Sequence, residues 1–413
     1  MIDLTGKGYF NEPAIAVNPA DPQQLVAAWQ VNTSVAYSQD GGATWTTAKD
    51  TASKTFKISG DVAVVYDAKG AAIVAYLGFD KLGTENYWAH NATRNGLFVR
   101  RSADGGKTWD QQDHAVKENP TAPGIPFEDK PGMVADTTQG PYRGNIYIGW
   151  TEFSLTKSII LFSRSSDSGV SWSAPIEIST HEGLPRDDNG SVEGFTAAVA
   201  ADGTLFATWA DGYNIAFTSS RDGGKTFAPS RVIQDHPAPY FPIPGSSRGN
   251  GFPQLAIDPR NGMLFLTWSD YRNGDIDVFL STSADQGAPW SEPVRVNSDA
   301  IHNGSDQFLQ WLAVDPVSGA ANVIFYDRRG DPKNKKMTIS LARSTDGGKT
   351  FANYSWMSDG FEGGDQFIGD YTGITAYGDK VFGAWSETRD PKDPKKHSTL
   401  VRVGVADFSV QKK

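Results

Sequence analysis

The sequence predicts an all-β propeller of four-stranded blades, seven in number, with six as the alternative. Three observations predict it. An eight-residue phrase, Ser-x-Asp-x-Gly-x-Thr/Ser/Pro-Trp/Phe, recurs six times, at 38–45, 102–109, 165–172, 220–227, 283–290 and 344–351. Such regular self-similarity marks a repeat architecture. A longer unit recurs seven times: an apolar strand, a short Asp/Asn/Gly turn, and a second strand ending in an aromatic. Its copies end at Trp29, Tyr76, Trp150, Trp209, Trp268, Tyr326 and Trp385. Finally, 43 Gly, 23 Pro and 12% aromatic residues suit many short strands joined by tight turns. Apolar residues alternate over short runs, and no long amphipathic helix is legible.

Each unit is read as one blade, with strand A innermost and the phrase in the turn between strands C and D. Within the phrase the Asp carboxylate accepts backbone N–H groups of its own turn, the Gly supplies a positive φ, and the aromatic packs back between strands. The seventh unit lacks the phrase but has a third strand, STLVRVGVADF. The segment before Glu12 is expected to add that blade's outer strand and close the ring. Seven blades consume all 413 residues, so a single domain is expected.

Composition narrows the function. A formal net charge of −10 disfavours nucleic acid, and any anionic ligand needs a local Arg cluster. There is no Cys, which removes disulfides, thiolate metal sites and Cys nucleophiles. No apolar run is long enough to span a bilayer. The opening MIDLTGKGYF has no charged n-region or apolar h-region, so no signal peptide is read in this chain.

Blade topology sorts the ionisable residues. Strands A and B are antiparallel, so A starts and B ends share one face and the phrases lie on the other. Ligand sites in radial folds sit where loops converge on the channel. A starts bring Glu12, Asp61, Asp129 with Lys130, Glu193, Asp306, and Asp370 with Tyr371. B ends bring Glu152, Asp211, Asp270 with Arg272, Asp327 with Arg328 and Arg329, and Glu387 with Arg389. Arg248 enters ahead of blade five. Converging guanidinium groups suit bidentate capture of a carboxylate. The same Asp–Arg pairs equally suit ion pairs that latch blades together.

The repeated phrase resembles the Asp-box of sialidases, and NEPAIAVNP and VIFYDRR are similar to segments of bacterial sialidase-like, BNR-repeat proteins. The resemblance implies a retaining exo-glycosidase that removes a terminal acidic sugar, sialic acid, from glycans. A neutral Tyr suits an anomeric centre that carries a carboxylate, since an anionic nucleophile would be repelled. Carried over by chain order, the resemblance makes Asp61 the acid/base, Tyr371 the nucleophile and Glu193 its partner. Arg248 or Arg272, Arg328 or Arg329, and Arg389 form the carboxylate clamp. The chain departs from the family at its first arginine: no Arg precedes Arg94, and FNEPAIAV places Glu12 where a cation is wanted. Arg389 stands in for it.

Two other classes stay open. His236, Tyr240 and Arg248 in the loop HPAPYFPIPGSSRGNG are of the types a polysaccharide lyase needs to neutralise a uronate and take its α-proton. Tyr240 also offers a ring on which a sugar stacks. A non-catalytic docking propeller is the third reading. No cofactor or metal is called for, since the six His form no close ligand pair. Asp275 with Asp277 and Asp187 with Asp188 are the oxygen-rich pairs that calcium would use, but solvated loop acids are the favoured reading. A monomer acting on an acidic glycan, with no nucleic acid partner and no membrane span, is expected. Secretion or periplasmic export is expected because glycans lie outside the cell.

Overall fold

The computed structural model describes residues 1–409 apart from 7, 31, 82, 84–91, 247, 358, 365–366 and 389–397. The chain is a seven-bladed β-propeller of mostly four-stranded antiparallel sheets. In A-to-D order, blade one is Asn11–Val17, Leu25–Gln30, Ser34–Ser38 and Thr46–Thr47. Blade two is Ile58–Tyr66, Ala72–Phe79, Asn95–Ser102 and His114–Asn119. Blade three is Phe127–Ala135, Ile146–Phe153, Ser158–Ser165 and Ile176–Glu177, and blade four is Val192–Val199, Leu205–Asp211, Asn214–Ser220 and Arg231–Asp235. Blade five is Gln254–Ile257, Leu264–Asp270, Asp277–Ser283 and Val294–Arg295. Blade six is Gln307–Val314, Ala321–Asp327, Lys336–Ser344 and Ala352–Ser355, with Phe361–Glu362 pairing on its third strand. Blade seven is Gly373–Tyr377, Lys380–Thr388 and Thr399–Asp407, and its outer strand is Ile2–Asp3. That last pairing, Ile2 opposite Val403 and Asp3 opposite Arg402, is the closure expected of the N-terminal segment.

The residues group into two compact units, Ala16–Asp235 and Met1–Ile15 with His236–Lys413. They are called the central unit and the terminal unit below. Each has its own apolar cores. In the central unit, Ile73 and Leu97 of blade two pack with Ile146 and Trp150 of blade three, and Phe162 with Phe195 and Leu205 of blade four. In the terminal unit, Phe265 and Leu280 of blade five meet Val323 and Phe325, while Ile324 and Leu341 of blade six meet Val381 and Trp385.

A blade between two others buries both faces of its inner strands. The B strands Ala72–Phe79, Leu205–Asp211, Leu264–Asp270 and Ala321–Asp327 are therefore buried at every position. This differs from the alternation the sequence suggests, which applies to sheets with one wet face. Outer strands are mostly exposed, as at Thr46–Thr47 and Arg231–Asp235. Trp150, Trp209, Trp268 and Trp385 are wholly enclosed, and truncating one to Ala costs about 3–5 kcal/mol. Close packing also fixes Gly149, where an added Cβ would lie 2.5 Å from the Phe195 ring.

The phrases do as expected. In the last one, Asp346 accepts the Ser344 hydroxyl at 2.7 Å, the Thr350 hydroxyl at 2.6 Å and the Thr350 N–H at 3.0 Å, while Gly348 N–H binds Ser344 at 2.9 Å. The bonds hold these carboxylates ionised: hydrogen bonding from Thr44 lowers Asp40 to about 2. The fifth phrase is different. Pro289 replaces the Thr and brings neither hydroxyl nor N–H, and only the Ser283-to-glycine bond, 3.1 Å to Gly287 N–H, is kept from that pattern.

Candidate functional site

The A strands carry a shared irregularity that the sequence did not disclose. One extra residue interrupts the A–B pairing between Ser59 and Val62, Asp129 and Gly132, Glu193 and Thr196, and Phe308 and Trp311. The same place in four blades thus holds a β-bulge, a device that re-aims side chains. The backbone turns left-handed there at Lys130 (φ +46°), Gly194 (φ +78°) and Leu309 (φ +51°). Glycine takes this conformation without strain, whereas lysine and leucine do so at a cost. In each of these four blades the bulge sits at the A start, away from the Asp-containing turn.

In the central unit the bulges assemble a cation among acids. Lys130 Nζ lies 3.3 Å from Asp129, 3.0 Å from Asp187 and 3.2 Å from Glu193. All four side chains are buried. Asp61 adds a further negative charge against Asp129. Burial raises the Asp129 carboxyl well above its ordinary value; Lys130 opposes the rise, and Asp61, Asp187 and Glu193 reinforce it. Two of the sequence-derived catalytic residues, Asp61 and Glu193, therefore meet at one cluster. Lys130 and Asp187 were noticed in the sequence without this role. Asp187, a calcium candidate by sequence, is bound to Lys130.

A second buried acid lies next in the chain. Glu128 accepts the Asn119 amide at 2.6 Å and the Trp150 indole N–H at 2.5 Å. Burial and the neighbouring Glu152 push its carboxyl up to about 8. On the rim of blade four, His181 binds Asp211 at 2.8 Å beside the exposed Tyr213.

The terminal unit gathers a different set. Arg248 grips Asp370 with both arms of its guanidinium, one of them Nε to Oδ1 at 2.9 Å. The rings of Tyr240 and Phe367 flank it, 5.6 and 5.2 Å from centroid to guanidinium carbon. Asn250 donates to the Asp370 carbonyl at 2.9 Å, and Asp370 N–H donates to Glu12 Oε1 at 3.1 Å. Glu12 reaches this position through a left-handed backbone, φ +53°. Gly369 (φ +104°) makes room, since a Cβ there would stand 2.8 Å from Glu12 Cγ. Tyr371 follows, its ring 5.6 Å from that of Trp311. Tyr240 is held by the short pairing of Tyr240–Phe241 with Gly249–Asn250 and by an edge-on contact to Phe252 at 5.2 Å.

The remaining clamp candidates are engaged within their own blades. Arg272 forks onto Asp270, 2.9 Å from Nε to Oδ1 and 2.6 Å from Nη2 to Oδ2, over the Phe279 ring. Arg329 contacts Asp327 at 2.6 Å. Arg328 is wholly enclosed, donates to the Asn334 carbonyl at 2.8 Å and stacks over Phe308; burial lowers its guanidinium to about 10. These are ion pairs, as the alternative reading of the Asp–Arg pairs had it, but Arg272–Asp270 and Arg329–Asp327 each lie within one blade and do not latch one blade to the next. Arg389, His90, His397 and the Lys-rich stretch 391–396 lie outside the described residues. His236 is buried with Nε2 3.3 Å from the Ser269 carbonyl oxygen, and desolvation lowers it to about 4. An imidazole so enclosed is out of reach of a substrate proton, which removes the base assigned to it in a lyase. Asp277, another calcium candidate, is bound by Arg295 at 2.7 Å and Asn297 at 2.6 Å. Among the described residues no cluster of three His, Asp or Glu is arranged to hold a metal.

No protein-family model matches the chain, and no curated protein matches it in sequence. Solved structures do match in fold. The Hadza microbial sialidase Hz136 shares 17% identity over 95% of this chain and 75% of its own, with a TM-score of 0.52. The GH93 α-L-arabinofuranosidase of Fusarium graminearum, solved with arabinobiose, shares 14% over 84% of this chain and 93% of its own, TM-score 0.53. A PL25 ulvan lyase bound to -[GlcA(1-4)Rha3S]- shares 12% over 98% of this chain and 99% of its own, TM-score 0.54. The propeller therefore resembles those of carbohydrate-active enzymes, and the likeness is one of fold. No helix among the described residues is long and apolar enough to cross a membrane.

Proposed function

We propose that this propeller hydrolyses glycosidic bonds at the end of a glycan chain, outside the cell. Asp61, which shares the Lys130 cluster with Glu193, acts as acid/base; Tyr371 is the nucleophile that the sialidase resemblance names. The single observation that carries the reading is the bulged A-strand entry. In blades two and three it holds an ionisable side chain, Asp61 and Lys130, at the end of the strand opposite the structural turns. One carboxyl there, Asp129, is raised far from its ordinary value in the company of three more. Groups whose environments drive their proton affinities apart are what acid–base cleavage uses. The fold likeness to three propellers named for glycan chemistry supports the same class.

A terminal acidic sugar is the substrate implied by the resemblance, and one observation bears on it. Arg328 is wholly enclosed, whereas the Arg248 side chain keeps about a third of its surface exposed (32%) while paired with Asp370. Arg248 is thus the most exposed of the described clamp candidates.

A panel of aryl glycosides tests the proposal, carrying sialic acid, L-arabinofuranose and galactose in turn. Release of the aryl group from at least one, lost in Tyr371→Phe and Asp61→Asn, is the expected result. No release from any member is the contrary result. It would leave the docking reading, unless an acidic polysaccharide yields an ultraviolet-absorbing unsaturated uronate, which would make the protein a lyase.

A further inference from the structure

The geometry points to a sugar-binding subsite on the rim of blade four, in the central unit, where the His181 imidazole and the Tyr213 ring take one uncharged ring of a glycan. It deepens the glycosidase reading and rests on it for the identity of the ligand as a glycan.

His181 is the anchor. Its Nδ1 lies 2.8 Å from Asp211 Oδ2, and the Asp211 side chain is 5% exposed while that of His181 is 65% exposed. A buried carboxylate behind Nδ1 holds the ring proton on that side, so the neutral imidazole offers Nε2 as an acceptor of fixed direction. No second bond to this imidazole is found among the described residues. The chain around it is fastened by other bonds. Thr180 N–H donates to the Ser230 hydroxyl oxygen at 3.1 Å, and Gly183 exchanges backbone bonds of 2.9 and 3.0 Å with Ser158. A side chain set in place before its ligand arrives spares the cost of ordering it.

Tyr213 supplies the flat surface. It stands at the tip of the tight turn that pairs Asp211 with Asn214, and it is 58% exposed. Gly212 enters this turn at φ +63°, and its N–H donates to the Ser191 carbonyl at 2.9 Å. The carboxylate that orients His181 therefore belongs to the same short turn as the tyrosine. A phenol ring takes the C–H face of a sugar, and an imidazole nitrogen accepts one of its hydroxyls.

The loop from blade three to blade four ties this rim to the proposed chemistry. Six residues after His181 it delivers Asp187 to Lys130, at 3.0 Å, in the cluster that also holds Glu193. One end of the loop is thus open to solvent and the other is buried among the acids. Its cations are already matched: Arg186 pairs with Asp188 at 3.0 Å, and Lys157 with Glu182 at 2.5 Å. An acidic ring would find no dedicated partner here, which favours a neutral one.

Calorimetric titration of the whole protein with lactose, arabinobiose and digalacturonate tests the subsite. At least one neutral disaccharide is expected to bind, and more tightly than digalacturonate. Tyr213→Ala is expected to weaken it about tenfold, and Tyr213→Phe to hold it within about twofold, because the ring makes the contact. His181→Ala is expected to weaken it severalfold; melting curves show whether each variant is folded, and Tyr213→Ala alone decides should His181→Ala not fold. No binding by either neutral disaccharide, tightest binding by digalacturonate, or unchanged affinity in either folded alanine variant would overturn the inference. Turnover of an aryl glycoside alongside any of these would leave the hydrolase proposal standing. Disaccharide binding lost in Tyr213→Ala, without turnover of any aryl glycoside, would sink the hydrolase proposal and leave the subsite.

Discussion

The two clusters at the A-strand entries solve opposite problems with similar residues. In the central unit one lysine serves three carboxylates within 3.3 Å and a fourth nearby, all of them buried. Negative charge outnumbers positive, solvent is excluded, and burial with these neighbours raises the Asp129 carboxyl well above its ordinary value. In the terminal unit one arginine serves one aspartate in a planar two-armed grip, with aromatic rings on either side and part of its surface wet. The first arrangement favours the protonated form of Asp129. The second presents an oriented, solvated polar face. Lysine suits the first because a point charge serves several partners at once, and arginine suits the second because its fork is directional.

That contrast predicts where substitutions do harm. The largest loss is expected at Lys130→Met, which strands Asp187 and Glu193 without their cation and costs about 3–5 kcal/mol. Its deficit should shrink on acidification, because protonating the stranded carboxyls removes their charge; denaturant melts at pH 5 and pH 8 measure this. A deficit equal at both pH values would mean that Lys130 acts through packing. Next comes Arg248→Lys, which keeps the charge and loses the fork. It is expected to weaken sugar binding severalfold while leaving thermal stability nearly unchanged, which calorimetry and a melting curve separate.

Glu128→Gln should act in the other direction. A carboxyl raised to about 8 by burial contributes stability that is complete below the ordinary glutamate value and lost as pH rises through 8. The amide cannot ionise, so the variant should melt higher than the parent at pH 8 and lose that advantage near pH 4. The smallest effect separates two of the repeated turns. Asp346→Ala removes a carboxylate with three side-chain and backbone bonds from Ser344 and Thr350 and should cost about 1 kcal/mol, limited by its exposure. Asp285→Ala, in the turn where Pro289 replaces the threonine, should cost less than half as much. Equal costs would show that the hydroxyl partner contributes little.

What was legible in the sequence follows from how far apart the partners stand. The Asp-containing turns were readable because Ser344, Asp346, Gly348 and Thr350 bond within one eight-residue phrase. Blade count was readable because each A–B pair is local, and the closing strand Ile2–Asp3 followed from the seventh blade's missing partner. The Arg272–Asp270 fork spans two residues and was legible as a possible latch. The bulges were not legible, since register exists only between strands, although Gly60 and Gly194 at equivalent places were a faint signal. Nor was the grip of Arg248 on a carboxylate 122 residues away, or the enclosure of Arg328. The sequence counts guanidinium groups without saying which are already spent.

The central claim is that polar chemistry gathers at the A-strand entries and leaves the repeated turns as structure. A crystal soaked with a protonated iminosugar tests it most directly. The account predicts the ring within hydrogen-bond reach of Arg248, its flat face against Tyr240 or Phe367. Density for the sugar at the Asp-containing turns instead would contradict it.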